Sequence, residues 1–211
     1  MSPSLDPLQL SPSRIRIGLS NRLHVPVLKM NGLSFPLWHY RRLKAIEKTG
    51  LFLDSYSTML MLAEMVQEWQ HYLPPFSLEG KTVLDVGAGC GETAWFFLEH
   101  GARKVICIER DPARVAILRK NKDSGVLKAI EICPGKFTPQ FLELPHDYAK
   151  FDIEGYECGL LPIAIAGRLG PTVIETHNGW ITEQFEGRGF RRVFTRGEEL
   201  PFSYVCNWED S

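Results

Sequence analysis

Beyond Gly80 the chain alternates short apolar runs with stretches whose apolar residues recur at helical spacing, and this alternation predicts a parallel sheet joined by crossover helices. Val83–Val86 and Val105–Ile108 read as the first two strands. Between them, Glu92–His100 carries Ala94, Trp95, Phe96, Phe97 and Leu98, which suits a helix buried on most of its surface, with Gly101 as its stop. Asp111-Pro112 opens a second helix through Asn121, with Asp111 as N-cap and proline at the first helical position, where its missing N–H costs nothing. Ala129–Cys133, Tyr148–Ile153 and Thr172–Glu175 are the third to fifth strands, the last two separated by the helix-capable Cys158–Arg168. Phe190–Thr195 and Phe202–Trp208 predict an antiparallel pair turning at Gly197-Glu198-Glu199. Upstream, Leu60, Leu62, Ala63, Met65, Val66 and Trp69 predict one amphipathic helix over Asp54–Tyr72, ended by Pro74-Pro75. Met1–Ser13, with Pro3, Pro7 and Pro12, has no period and is expected to form a mobile arm. The expected class is α/β, a doubly wound and mostly parallel sheet with antiparallel C-terminal strands and a helical N-terminal extension.

Composition narrows the setting. The 211 residues suffice for one domain with a modest extension; 44% are hydrophobic and 23% charged, as in ordinary soluble domains. No apolar run approaches the roughly 20 residues of a membrane span, and Met1–Ser13 lacks the pattern of a secretory signal, so a cytoplasmic protein without membrane contact is expected. Cys90, Cys107, Cys133, Cys158 and Cys206 are odd in number and form no CxxC pair, which favours reduced core residues. Net charge is only -1, yet residues 1–53 hold eight Lys or Arg against Asp6 and Glu47. That basic segment is set apart as an N-terminal arm or extension.

The chemistry concentrates where the first strand meets the first helix. Val83–Thr93 places Gly87, Gly89 and Gly91 at that junction, where tight turning, close approach of backbone to a ligand and helix packing each favour glycine. A GxGxG run is weak alone. It gains weight from Asp85 inside the strand and Glu109 at the end of the next, where a carboxylate can accept hydrogen bonds from two ribose hydroxyls. Nicotinamide-binding domains share that logic, but favour a third glycine after two residues rather than one and lack the strand aspartate.

Leu84–Thr93, followed by Val105–Pro112 and Leu118–Asn121, resembles the class I S-adenosylmethionine-dependent methyltransferases. More narrowly, Lys150-Phe-Asp-Ile-Glu-Gly-Tyr-Glu157 and Ile174-Glu-Thr-His177 look like the FkbM-type members. The resemblance covers about Lys81–His177 and implies a Rossmann-like methyltransferase fold over 54–211. It implies S-adenosyl-L-methionine as cofactor, contacted by Asp85, Gly87, Ala88, Gly89, Gly91, Glu109, Arg110 and Asp152. It also implies methyl transfer to a hydroxyl of a small molecule or sugar. The chain departs from the pattern in a shorter stretch before Asp-x-Glu-Gly and in Gly89, where many members carry asparagine.

In open parallel sheets ligands lie beyond the carboxyl ends of the strands, which puts Asp152, Glu154, Glu175 and His177 on one rim. Asp152, Glu154 and His177 are the catalytic candidates. His177 is the better base on its ordinary pKa, while Asp152 suits orientation of the acceptor or of the cofactor's amino group. The same four residues are of the type that binds magnesium or manganese, a question the sequence leaves open. Tyr56 is a candidate for the methionine end of the cofactor. Arg14, Arg16, Arg22, Lys29, Arg41, Arg42, Lys44 and Lys48, interleaved with Phe35, Trp38, His39 and Tyr40, make RNA a second partner class. A methyltransferase of RNA or protein, and a catalytically silent cofactor-binding module, are therefore the competing functions.

Overall fold

The computed structural model describes residues 12–19, 26–65, 69–196 and 202–208. Most of Met1–Ser13, Arg22 and the Gly197-Glu198-Glu199 turn lie outside those residues. Ten strands and six α-helices are described: β1 (Arg16–Leu19), β2 (Pro26–Met30), β3 (Leu33–Phe35), α1 (Tyr40–Thr49), α2 (Ser55–Glu64), β4 (Thr82–Val86), α3 (Glu92–Glu99), β5 (Lys104–Glu109), α4 (Pro112–Asp123), β6 (Ile130–Pro134), β7 (Tyr148–Phe151), α5 (Leu161–Ile165), β8 (Thr172–Thr176), α6 (Gly179–Glu186), β9 (Arg191–Arg196) and β10 (Phe202–Cys206).

Seven strands form the main sheet in the order β6-β5-β4-β7-β8-β10-β9. The first five are parallel, while β10 pairs antiparallel with both β8 and β9. Alternation along the strands divides the core in two. Val83, Val105, Cys107, Tyr148 and Val173 face Ala94 and Phe97 of α3 and Ile117 and Leu118 of α4. Leu84, Val86, Ile106, Ile108, Phe151 and Ile174 face Leu160, Ile163 of α5, and Ile181 and Phe185 of α6. Helices thus cover both faces, as the near-continuous apolar strands require.

Local signals account for the helix starts. Asp111 caps α4 by accepting from Ala113 N at 2.8 Å, with Pro112 at the first helical position, as expected. Asn178 caps α6 by accepting from Trp180 N at 2.8 Å. That helix was not anticipated, although Asn178 before an apolar run was the available sign.

The N-terminal region differs from the helical extension expected. Its β1, β2 and β3 form a separate antiparallel sheet, and only then does α1 follow. The predicted helix over Asp54–Tyr72 is interrupted: α2 ends at Glu64 and Trp69–Tyr72 form a 3-10 turn. Leu28, Met30, Phe35, Leu43, Ile46 and Leu51 belong to the same buried cluster as Val83 and Phe97, so this region is built into the core. Buried Asn121 fastens it. Its side chain accepts from Phe52 N at 2.7 Å and donates to Phe52 O at 2.9 Å and to Cys90 O at 2.8 Å, which ties the extension to the glycine loop.

Candidate functional site

A cavity of about 370 Å³ opens at the carboxyl ends of β4, β5 and β7. The glycine loop after β4 forms its floor. Gly87 has φ 80°, and a Cβ there would collide with the carbonyl oxygen of Asp152. Gly91, at φ 97°, begins α3 where a Cβ would press into Leu118 and Leu127. Two of the three glycines therefore answer to the protein's own backbone and helix packing, a demand independent of any ligand.

Glu109, at the end of β5, lines the cavity. One carboxylate oxygen accepts from Gly89 N at 2.9 Å and the other from Asp111 N at 2.7 Å, which fixes the side chain beside the loop. Each oxygen retains a lone pair, as binding two ribose hydroxyls requires. Arg110 lies on the same wall, stacked over Tyr156 at 4.9 Å. Ile108, Phe137, Pro139, Leu160 and Ile163 supply an apolar stretch beside them.

Asp85 was expected to contact the cofactor, but it is fully buried beneath the loop and is absent from the cavity wall. It accepts from Thr93 Oγ1 at 2.6 Å and pairs with Lys150 Nζ at 3.2 Å. Ala88 and Gly91 are likewise buried behind the wall, whereas Gly87 and Gly89 line it. Lys150, to which its sequence motif assigns no role, is the centre of this support. From β7 its ammonium also donates to Gly87 O at 3.2 Å and stands 3.7 Å from Asp152. Burial lowers its pKa, but Asp85, Asp152 and Glu175 outweigh that and hold it charged. The available signal was a lysine within an otherwise apolar parallel strand, which is buried and so must be paired.

Asp152 and Glu154 reach the cavity wall just after β7, and Glu175 and His177 lie at the end of β8. The structure thus brings the four expected rim residues together. His177 Nε2 is 3.5 Å from Glu175, 3.7 Å from Glu154 and 3.9 Å from Asp152, while Nδ1 bonds Glu157 at 2.6 Å. Burial lowers the imidazole pKa, but the Glu157 hydrogen bond and the carboxylates of Glu175 and Asp152 more than reverse this, to about 9. His177 is therefore an imidazolium near neutrality, the opposite of the ready base its ordinary pKa promised. Glu175 is pushed up to about 8 by burial and by Asp152, against the opposing hydrogen bond from Tyr72. Burial also raises Asp152, with Lys150 pulling the other way.

The extension completes the wall. Tyr56 and Leu60 of α2, and Trp69 and Tyr72 of the 3-10 turn, line the cavity near Asp152 and Glu154. Tyr56 donates to Glu154 at 3.0 Å, and its phenol is raised to about 12 by burial and by that carboxylate. Glu154 adopts φ 50°, unusual for a side chain larger than glycine, and Gly155 follows at φ 85° to turn the chain away.

No family model matches the chain. Among curated proteins it is 40% identical over 73 residues to ribosomal protein L11 methyltransferase of Photorhabdus laumondii, spanning 34% of this chain and 25% of that protein. It is 38% identical over 77 residues to protein arginine N-methyltransferase 6 of Danio rerio, spanning 33% and 22% respectively. The chain thus spans about a quarter of the length of the curated relatives it matches. Among solved structures, the bifunctional kinase-methyltransferase WbdD superposes with a TM-score of 0.53 at 13% identity, over 68% of this chain and 40% of that one. A dimethyladenosine transferase from Plasmodium falciparum gives 0.53 at 15% identity, over 65% and 59%. The fold is the Rossmann-like methyltransferase fold. Its sheet carries β10 antiparallel between β8 and β9, which departs from the 3-2-1-4-5-6 order of dinucleotide-binding domains. Among the described residues no helix is long and apolar enough to cross a membrane.

Proposed function

We propose that the chain is a class I S-adenosylmethionine-dependent methyltransferase of FkbM type, acting on a hydroxyl of a small molecule or sugar. One observation carries the cofactor reading. Glu109 stands on the cavity wall beside Gly87 and Gly89, with its carboxylate already fixed by two backbone N–H groups. The residues present fit the cofactor. Glu109 would hold the ribose, the apolar stretch around Ile108, Phe137 and Ile163 the adenine, and the loop backbone with Asp152 the amino acid portion. When bound, it would supply an electrophilic methyl group.

Asp85 serves this site through Lys150 and the loop. Asp152 and Glu154 are the carboxylates that meet the acceptor, which they would orient by accepting a hydrogen bond from its hydroxyl. His177, being cationic, balances these carboxylates and is not the base. The curated relatives are methyltransferases, which supports transfer chemistry while leaving the acceptor to the rim residues.

Isothermal calorimetry with S-adenosylmethionine tests the assignment. Binding by the full chain, weakened in Glu109→Gln and absent for a nicotinamide dinucleotide, is the expected result; equal affinity in wild type and variant would remove it. A second reading, an RNA or protein acceptor, is favoured by the exposed Arg41, Arg42 and Trp38 on and beside α1. Replacing Arg41 and Arg42 by glutamate would then abolish labelling of macromolecules in a cell extract and spare cofactor binding.

A further inference from the structure

The rim cluster holds more organisation than acceptor binding needs. Each of its four side chains has one polar atom committed to a neighbour. Glu154 Oε1 accepts from Tyr56, Glu175 Oε2 accepts from Tyr72, Asp152 Oδ2 faces Lys150, and His177 Nδ1 bonds Glu157. His177 Nε2 stands 3.5 Å from Glu175 Oε1, 3.7 Å from Glu154 Oε2 and 3.9 Å from Asp152 Oδ1. One donor atom each from Asp152, Glu175 and His177 lie within 4.8 Å of one another. Among the described residues Asp152 Oδ1 is also buried without a hydrogen-bond partner, an expensive arrangement for a carboxylate oxygen.

We infer that Asp152, Glu175 and His177, with Glu154 at the edge of the group, form a binding site for a divalent cation of the manganese type. In an octahedral shell with ligands about 2.1 Å from the ion, adjacent donors stand about 3 Å apart and opposite ones about 4.2 Å. One donor atom each of Asp152, Glu175 and His177, all within 4.8 Å of one another, lie near those spacings. Carboxylate oxygens and one imidazole nitrogen suit manganese better than soft, sulfur-seeking metals. Glu157 on Nδ1 is the carboxylate–histidine arrangement that fixes a ligating imidazole, leaving Nε2 for the ion in exchange for its proton. The tyrosines and Lys150 do the same for the carboxylates. The cation would satisfy Asp152 Oδ1 and face the cavity that Asp152 and Glu154 line. The site shares Asp152 and Glu154 with the acceptor site proposed above.

The test is a titration of chelator-treated full chain with Mn²⁺, following the paramagnetic resonance of the free ion. One ion bound per chain with a dissociation constant of roughly 10 µM is expected. Glu175→Gln, His177→Gln and Glu157→Gln should each weaken it by about tenfold or more. Glu154→Gln, altering a half-exposed side chain with little risk to the fold, should weaken it severalfold and decides the matter if the buried variants fail to fold. No binding up to about 1 mM Mn²⁺ would overturn the proposal. So would binding that Glu154→Gln and the correctly folded rim variants leave unchanged, since the ion would then sit elsewhere. Calorimetry of S-adenosylmethionine on the same chelated sample separates the two readings. Cofactor binding without manganese binding sinks only the metal site, and the reverse sinks only the methyltransferase reading.

Discussion

Asp85 and Glu109 look equivalent in the sequence, each an acidic residue beside the glycine loop, but their surroundings divide their work. Glu109 faces the cavity with both oxygens already fixed. Losing its negative charge should weaken S-adenosylmethionine binding by about ten- to a hundredfold in Glu109→Gln, the range for hydrogen bonds to a charged group. Asp85 is enclosed with Lys150 at 3.2 Å, so its loss registers in stability. Lys150→Met leaves Asp85 a buried unpaired charge and should cost about 3–5 kcal/mol, read as a lower urea midpoint. Adding Asp85→Asn should recover most of that; a double variant no more stable than the single would show that the pair is not what holds the loop. Glu92 has a different imbalance. Burial raises its carboxyl from 4.5 to about 7, so the folded protein resists its ionisation. Its contribution is intact below the unfolded pKa and is lost as pH rises toward 7. Glu92→Gln should accordingly raise Tm at pH about 8 and have little effect at pH about 4.5, and thermal scans at the two pH values check the sign.

Elements set which glycines matter. Gly87 joins β4 to the loop exactly where the chain leaving β7 crosses, and a Cβ there meets backbone that cannot yield. Gly155 has an almost identical φ of 85° but open space around it. Gly155→Ala should therefore cost only the left-handed backbone penalty of about 1 kcal/mol, whereas Gly87→Ala should cost clearly more and distort the position of Asp152. Equal losses in chemical denaturation would mean that the contact with Asp152 is relieved at no cost. The elements also show why the Asp54–Tyr72 prediction failed. Apolar spacing put Leu62, Met65 and Trp69 against the core, where they pack, but Ala63 is exposed and Val66 lies outside the described residues; spacing did not show that α2 ends at Glu64 or that Trp69 and Tyr72 form a separate turn on the cavity.

Across the whole molecule, the extension is structural before it is anything else. Leu43 and Ile46 are completely buried in the cluster that includes Phe97, and Asn121 bonds across to Phe52. Leu43→Ala should cost about 2–5 kcal/mol by opening a cavity, lowering the single thermal transition of the chain. A separate low-temperature transition, with the main one unchanged, would instead mark the extension as an independent unit. Truncation of residues 1–48 is for the same reason a poor test of macromolecule recognition, because it removes core side chains along with the charges.

The strands β4 to β8, the helices α3 and α4, the antiparallel C-terminal pair and the glycine junction were legible because each is written in neighbouring residues: alternation, caps, turn chemistry. Gathering Asp152, Glu154, Glu175 and His177 on one rim was legible too, since parallel strands place all their carboxyl ends on one side. Which groups are charged was not. The proton on His177, the buried Lys150–Asp85 pair and the wall supplied by Tyr56 and Tyr72 depend on contacts between residues as much as 103 positions apart. A side chain's ordinary pKa describes it in water, and only the folded packing decides how much water and which opposing charges it keeps.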